Sequence, residues 1–378
     1  MRGTRHVGVG VAVAVALTLV PLTGAVLEGR ATAGGASGPT TTSPTTTTSP
    51  TTTIVGTTTT TIPGTTTTTT PGETTTTTTP SSTTTSTLPP TTTTTIPPLT
   101  ISWPTGVSAA IYVPDLALVA SSSPQPRVPI ASITKMMTTW VVLHRLPLAR
   151  GATGPCHVVT PHDLAIFHND LATDQSNAAV AVGERICEST LLRGLLVHSA
   201  GDFAEILVEM TGLSDARFVA VMNRDAAVLG LRSTHYVDVT GIGPGDRSTA
   251  LDQVHLADVL MSQEPVVAPI VTLPWVRLPV AGIVSSYTPY VGQGGVVGVK
   301  SGYTNVAGGC DVMAVNFVVG ALSYRAYVVV LGVVGPNAIV RSGTLALGIA
   351  RQVRLGVRVA RTTAGSHLVW TGSPAYLH

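Results

Sequence analysis

Ser132 and Lys135 stand three residues apart in the stretch Val128-Pro129-Ile130-Ala131-Ser132-Ile133-Thr134-Lys135-Met136-Met137-Thr138. A serine hydroxyl is a weak nucleophile at neutral pH and needs a base beside it. A lysine amine can be that base where burial and neighbouring groups disfavour the ammonium form. Behind Pro129, the apolar residues Ile133, Met136, Met137, Trp140 and Val141 predict a buried helix opening near residue 130. Residues three apart share a helical face, which brings the Ser132 hydroxyl within reach of the Lys135 amine.

A bare Ser-x-x-Lys arises by chance about once in a chain of this length, so spacing alone decides little. Lysine usage decides more. The chain contains two lysines, Lys135 and Lys300, and its other strongly basic side chains are all arginine. Arginine carries charge but cannot lose its proton in a protein, so it never serves as a general base. Lysine is thus kept at two places, and the second heads the run Lys300-Ser301-Gly302-Tyr303-Thr304.

Histidine offers the competing chemistry. His157, His162 and His168 cluster in sequence, but no His-Glu-x-x-His or Cys-His ligand spacing accompanies them. They read as solvated or capping side chains. A Ser-His-Asp triad finds no Gly-x-Ser-x-Gly elbow to support it. No metal or organic cofactor is implied.

The chemistry needs a scaffold, and much of the 378-residue chain cannot provide one. Residues 1–33 open with Met1-Arg2-Gly3-Thr4-Arg5-His6. An apolar run from Val7 to Leu27 and the small-residue stretch Ala31-Thr32-Ala33 follow. That order is the pattern of a secretory signal, with an uncleaved membrane anchor as the alternative. Residues 34–98 are mostly threonine broken by Pro, Ser and Gly, a composition that cannot bury enough apolar surface to fold. It reads as an S/T-Pro stalk, glycosylated or plain, whose extended reach over roughly 60 residues is on the order of 190 Å. Residues 99–378 remain for the folded part, long enough for one large or two small cores. The formal net charge of +2 and the lack of any basic block give no sign of nucleic-acid binding. In an oxidising compartment Cys156 and Cys187 could pair and leave Cys310 a buried thiol, though sequence alone does not settle the pairing.

Within the folded part, Val107–Val113 and Leu116–Val119 around Pro114-Asp115 predict a β-hairpin. Helices are expected after the Ser132 segment, including Ser176–Glu188 and Thr190–Val197, with Ser199 placed to cap the next one. Asp215–Leu229 is amphipathic through Phe218, Val219, Met222, Ala226 and Leu229. A loop rich in Gly and Pro runs through Gly245, and a helix starts at Ser248-Thr249-Ala250 and leads to Met261. Val296–Lys300, Cys310–Val319 and Ala326–Val334 read as strands, and Asn337–Val359 as a final helix. Strands at both ends with helices between predict an antiparallel sheet, joined by the hairpin and the late strands, plus an inserted helical lobe.

On these residues a family resemblance rests. Pro129 to Thr138 resembles the active-site helix of the D-alanyl-D-alanine carboxypeptidases, the low-molecular-mass penicillin-binding proteins of the serine–lysine type. Leu195-Leu196-Val197-His198-Ser199-Ala200 is similar to their second motif. Lys300-Ser301-Gly302-Tyr303-Thr304, with Ala307-Gly308-Gly309-Cys310 behind it, is similar to their third. Phe218 to Asn223, Leu229-Gly230-Leu231 and Ser248-Thr249-Ala250 match family framework positions. The match runs from about Val107 to Val334, and motif order and separations agree with the family. The resemblance implies an α/β (α+β) fold of the penicillin-binding-protein and β-lactamase type, an antiparallel sheet flanked by helices.

It further implies Ser132 as the acylated nucleophile, Lys135 as its base, and Ser199 as a proton relay to the leaving amine. Lys300 and Ser301 would bind the terminal carboxylate of a peptidoglycan peptide ending in D-Ala-D-Ala. The backbone N–H groups of Ser132 and Tyr303 would form the oxyanion hole, with Gly302 between the strand positions that line the site. β-Lactams would be covalent inhibitors. Two departures are visible: Ser301 replaces the usual threonine but keeps the hydroxyl, and Gly201 replaces the asparagine of the second motif. In the family that asparagine binds the substrate amide and helps position the lysine, so Gly201 favours a weakly catalytic relative that binds wall peptides. Glycine leaves a gap that water could fill or Asp202 could reach into, and Gly201→Asn is expected to speed acylation. A β-lactamase of class A is disfavoured, since no Glu-x-x-Leu-Asn stretch lies between the second and third motifs. The chain ends soon after the domain, so the family's common C-terminal β-domain and amphipathic anchor are expected to be missing and the N-terminal segment to supply any tether.

Overall fold

The computed structural model describes residues 99–364. The predicted signal segment and threonine stalk lie outside the described residues. The first hairpin is β1 (Ser108–Val113) and β2 (Leu118–Ser121), joined by a 3-10 turn over Pro114–Leu116 and by Ala117 at φ 48°. After β3 (Val128–Pro129), a 3-10 turn over Ala131–Thr134 runs into α1 (Lys135–Arg145). The helix predicted from residue 130 therefore begins one tight turn later, with Ser132 inside the 3-10 segment and Lys135 as the first α-helical residue. Next come β4 (Cys156–Val158), α2 (Pro161–Ala172), β5 (Arg185–Cys187), α3 (Glu188–Val197) and α4 (Gly201–Met210). They are followed by α5 (Asp215–Val228), β6 (Arg247–Ser248), α6 (Ala250–Gln263) and α7 (Val267–Val271). The ribbon β7 (Trp275–Leu278) and β8 (Gly282–Ser285) precedes β9 (Val296–Thr304), β10 (Gly308–Val319), β11 (Leu322–Val333) and α8 (Ala338–Ala364).

The sheet has the order β2-β1-β11-β10-β9, antiparallel throughout. The early hairpin and the late strands do meet, at β1 against β11, with Ile111 opposite Val328. Period-two alternation then sends β11's Ala326, Val328 and Val330 to the α8 face and Tyr327, Val329 and Leu331 to the opposite one. Both faces are covered, which is why the late strands read as nearly continuous apolar runs. Each fully buried Val or Leu contributes roughly 1.5–3 kcal/mol before chain entropy is charged against it. Leu99, Ile101 and Trp103 pack onto the α8 side, so the folded region includes the chain from its first described residue.

The predicted helix over Ser176–Glu188 is corrected by the structure. Residues 173–184 form an irregular segment, β5 takes Arg185–Cys187, and Glu188 alone joins α3. Ala178, Val180 and Ile186 are the buried positions, an alternating spacing and not a helical one. The segment's backbone is also claimed from outside: Gly201 N–H donates to Ser176 O at 2.7 Å, and Ala178 N–H donates to the Asp202 carboxylate at 3.1 Å. Cys156 and Cys187 sit opposite each other on β4 and β5 and are disulfide-bonded; Cys310 is a buried free thiol.

Candidate active site

The site lies where the 3-10 turn before α1, the α3–α4 junction and β9 converge. Lys135 Nζ donates to Ser132 Oγ at 3.0 Å and to Thr240 O at 2.8 Å. The Lys135 side chain is 3 % exposed, and burial pushes its pKa from 10.5 down to about 8, against the opposing pull of Asp238, Asp170, Glu205 and Asp202. The geometry pairs a hydroxyl with an amine whose hold on its proton is weakened by burial.

Ser199 stands on the far side. Lys300 Nζ donates to Ser199 Oγ at 2.9 Å and to Ser301 O at 2.8 Å, with all of Lys300 out of solvent. Ser199 was expected to cap α4, but the N-cap is Ala200 and makes no side-chain bond; the Ser199 hydroxyl serves Lys300 instead. Burial and the nearby Lys135 charge lower the Lys300 pKa well below its ordinary value, opposed by Asp311. Asp311 belongs to β10, beside the Val312 that pairs with Lys300, and is itself fully buried with its carboxyl pushed well up. Ala131 and Ser199 hold φ of 50° and 65°, left-handed values that a non-glycine residue adopts only when its surroundings impose them.

Gly302 explains how β9 reaches the nucleophile. A Cβ on residue 302 would lie 2.7 Å from Ser132 N and 3.1 Å from Ala131 Cβ, so a side chain there would push the strand off the Ser132 backbone. Ser301 Oγ donates to Tyr287 O at 2.8 Å, Tyr287 N–H donates to Val197 O at 3.1 Å, and the His198 ring stacks on Tyr287 at 4.6 Å. The loop after β8 thereby ties the second and third motifs together. Tyr303, next along β9, is 48 % exposed at the mouth of the site.

Sequence reasoning missed the wall behind Lys135. Asp238 accepts from Thr240 N–H at 2.8 Å, Gly241 N–H at 2.5 Å and Gly243 N–H at 2.8 Å, which fixes the Thr240 carbonyl toward the amine. Thr134 Oγ1 donates to Asp246 at 2.8 Å and pins the same loop to the 3-10 turn. The Asp-x-Thr-Gly run at 238–241, an Asx-turn signature, was the available signal. Asp170 was missed as well; its carboxylate lies over Gly201, in the space expected to hold water or Asp202. Asp202, the residue predicted to reach in, is turned toward Ala178 N–H instead.

The histidines stay outside this constellation. His157 Nε2 lies 2.8 Å from Asp163 Oδ2, which also accepts from Thr160 N–H in the capping box that starts α2. Glu209 completes a trio with them whose potential metal-ligating atoms lie within 4.8 Å of one another, the one such group among the described residues. His162 lines a cavity of about 810 Å³ with Asp170, Glu205, Asp238 and Thr240, and His168 packs beside Phe167.

A buried lysine bonds a serine hydroxyl, and a second Ser–Lys pair stands beside it at the edge of an antiparallel sheet. The model of the D-alanyl-D-alanine carboxypeptidase family matches residues 117–333, and the chain belongs to that family of serine peptidases. A D-alanyl-D-alanine carboxypeptidase DacD of Salmonella typhimurium is 32 % identical over 156 residues, covering 41 % of this chain and 39 % of that protein. The DacB2 carboxypeptidase of Mycobacterium tuberculosis is 36 % identical over 148 residues, covering 36 % and 50 %. The chain thus spans about half or less of the length of these curated relatives. The crystal structure of the Streptomyces K15 DD-transpeptidase aligns over 66 % of this chain and 100 % of its own, with TM-score 0.57 and 22 % identity, a likeness of fold.

Proposed function

We propose that this chain is a serine D-Ala-D-Ala carboxypeptidase of the cell envelope that trims the terminal D-alanine from peptidoglycan stem peptides. The 3.0 Å contact between the Lys135 amine and the Ser132 hydroxyl carries the reading. Neutral Lys135 takes the hydroxyl proton as Ser132 Oγ attacks the penultimate D-alanine carbonyl. The oxyanion falls to the backbone N–H groups of Ser132 and Tyr303, whose approach Gly302 permits. The C–N bond breaks, the leaving amine gains a proton by way of Ser199, and water hydrolyses the Ser132 ester. Lys300, with Ser301, meets the charge of the peptide's terminal carboxylate, and that carboxylate joins Asp311 in favouring the charged form of the buried amine. A β-lactam would open on Ser132 in the same way and remain attached.

Residues 1–33 act as export signal or membrane anchor and residues 34–98 as a spacer, placing the domain of residues 99–378 outside the cytoplasm; composition supports both assignments. A second reading, a wall-peptide binder with little turnover, is favoured by the four carboxylates that help Lys135 keep its proton. Fluorescent penicillin labelling followed by product analysis on a D-Ala-D-Ala peptide separates the two. Labelling with release of D-alanine supports the peptidase, and labelling alone supports the binder. In either case the adduct should map to Ser132 by mass spectrometry and vanish in Ser132→Ala; an adduct on another serine overturns the mechanism.

A further inference from the structure

Gly201 opens α4 and its φ is ordinary, so its backbone does not demand glycine. What keeps a side chain out is a neighbour: a Cβ on residue 201 would lie 2.9 Å from Asp170 Oδ2 and 3.3 Å from Ser176 O. Asp170 comes from α2 and is 6 % exposed. Burial raises its pKa, while the Lys135 charge, the Asp202 backbone N–H in the first turn of α4 and the Asn169 side chain favour the charged form. The N-cap residue of α4, Ala200, provides no side-chain bond, so the N–H groups of that turn are met from outside the cap position: Gly201 N–H donates to Ser176 O at 2.7 Å, and the Asp170 carboxylate lies beside the Asp202 N–H. The site also suits an anion, since the helix start carries partial positive charge. Asp170 further lines the cavity shared with Asp238 and Thr240, the residue whose carbonyl accepts from Lys135.

We infer that Asp170 is a positioning residue of this active site: it fills the space left by the side chain missing at 201, holds the start of α4, and places a charge against Lys135. The inference rests on the reading of Lys135 as the base. Charges reach the Lys135 amine from several elements: Asp170 from α2, Asp202 and Glu205 from α4, Asp238 from the loop before β6, and Lys300 from β9. Asp170 is the one among them that occupies the space over Gly201. The same crowding reverses the expectation for Gly201→Asn. With Asp170 in place the new side chain has no room, so this variant alone should slow acylation.

The chain's two lysines make a direct test possible. The full chain, labelled with ¹³C at the lysine side chains, gives two Cε–Hε signals, assigned with Lys300→Arg, and each is followed by NMR from pH 6 to 11. Asp170→Asn keeps an acceptor for Asp202 N–H and removes the charge. It should move the Lys135 midpoint down by about half to one pH unit. Asp170→Ala/Gly201→Asn, which puts a neutral amide into the vacated space, should move it in the same direction. A midpoint unchanged or raised in either folded variant overturns the inference. Failure of both variants to fold also overturns it, since Asp170 would then belong to the fold alone. Penicillin labelling of the same samples reports separately on the acyl-enzyme: a shifted midpoint without labelling in any sample refutes the proposed function and leaves the role of Asp170 standing.

Discussion

The pH dependence of acylation is the most direct consequence of burying Lys135. An ordinary lysine with a pKa of 10.5 is neutral in about one molecule in 3,000 at pH 7, whereas one held at about 8 is neutral in about one in ten. Burial thus raises the population of competent base by a factor of about 300 at neutral pH. Only the neutral amine accepts a proton, so the labelling rate should climb with pH and level off above about 8. Below that point the rise should be shallower than tenfold per pH unit. Glu205 and Asp202, both raised by burial to about 7, become charged over the same range and strengthen Lys135's hold on its proton. The assay is the second-order rate of fluorescent penicillin labelling from pH 6 to 10 on the full chain, with circular dichroism at each pH to confirm folding. A rate flat across that range, or falling above pH 7, would refute the assignment of Lys135 as base.

The two lysines should also separate by substitution. Lys135→Arg should abolish labelling because the guanidinium cannot accept a proton, while Lys300→Arg should lower it by about tenfold because a cation and donors remain; equal losses in rate measurements would contradict the division of roles. A chain beginning at Leu99 should fold and label at the full-length rate. One beginning at Val107, without Leu99, Ile101 and Trp103 against α8, should melt at a lower temperature by calorimetry.

Much of this organisation was legible in the sequence because the features that encode it are local. The hairpin at Pro114-Asp115, the apolar late strands and the helix over Asp215–Val228 follow from turn chemistry and periodicity. Ser132, Lys135, Ser199, Lys300 and Ser301 come together in the structure, and lysine scarcity had marked two of them. The failures are non-local. Ser176–Glu188 has apolar residues enough for a helix, but its backbone is bonded by Gly201 and Asp202 from α4, across the chain. Asp170 sits on α2 with no motif around it, and its place over Gly201 depends on how two helices pack. Ser199 looked like a cap because serine before a helix usually is one; a buried lysine 101 residues later claims its hydroxyl.

Both lysines are sealed inside the fold, one 3 % exposed and the other not at all, while arginine carries the surface's strong positive charge. Amine-directed reagents therefore meet no lysine on the native domain. Acylating dyes, aldehyde fixatives and lysine-directed cross-linkers find no exposed lysine on it until it opens. Uptake of an amine-reactive tag at residue 135 or 300 then counts opening events of the active site itself, at a rate set by local unfolding and not by surface chemistry.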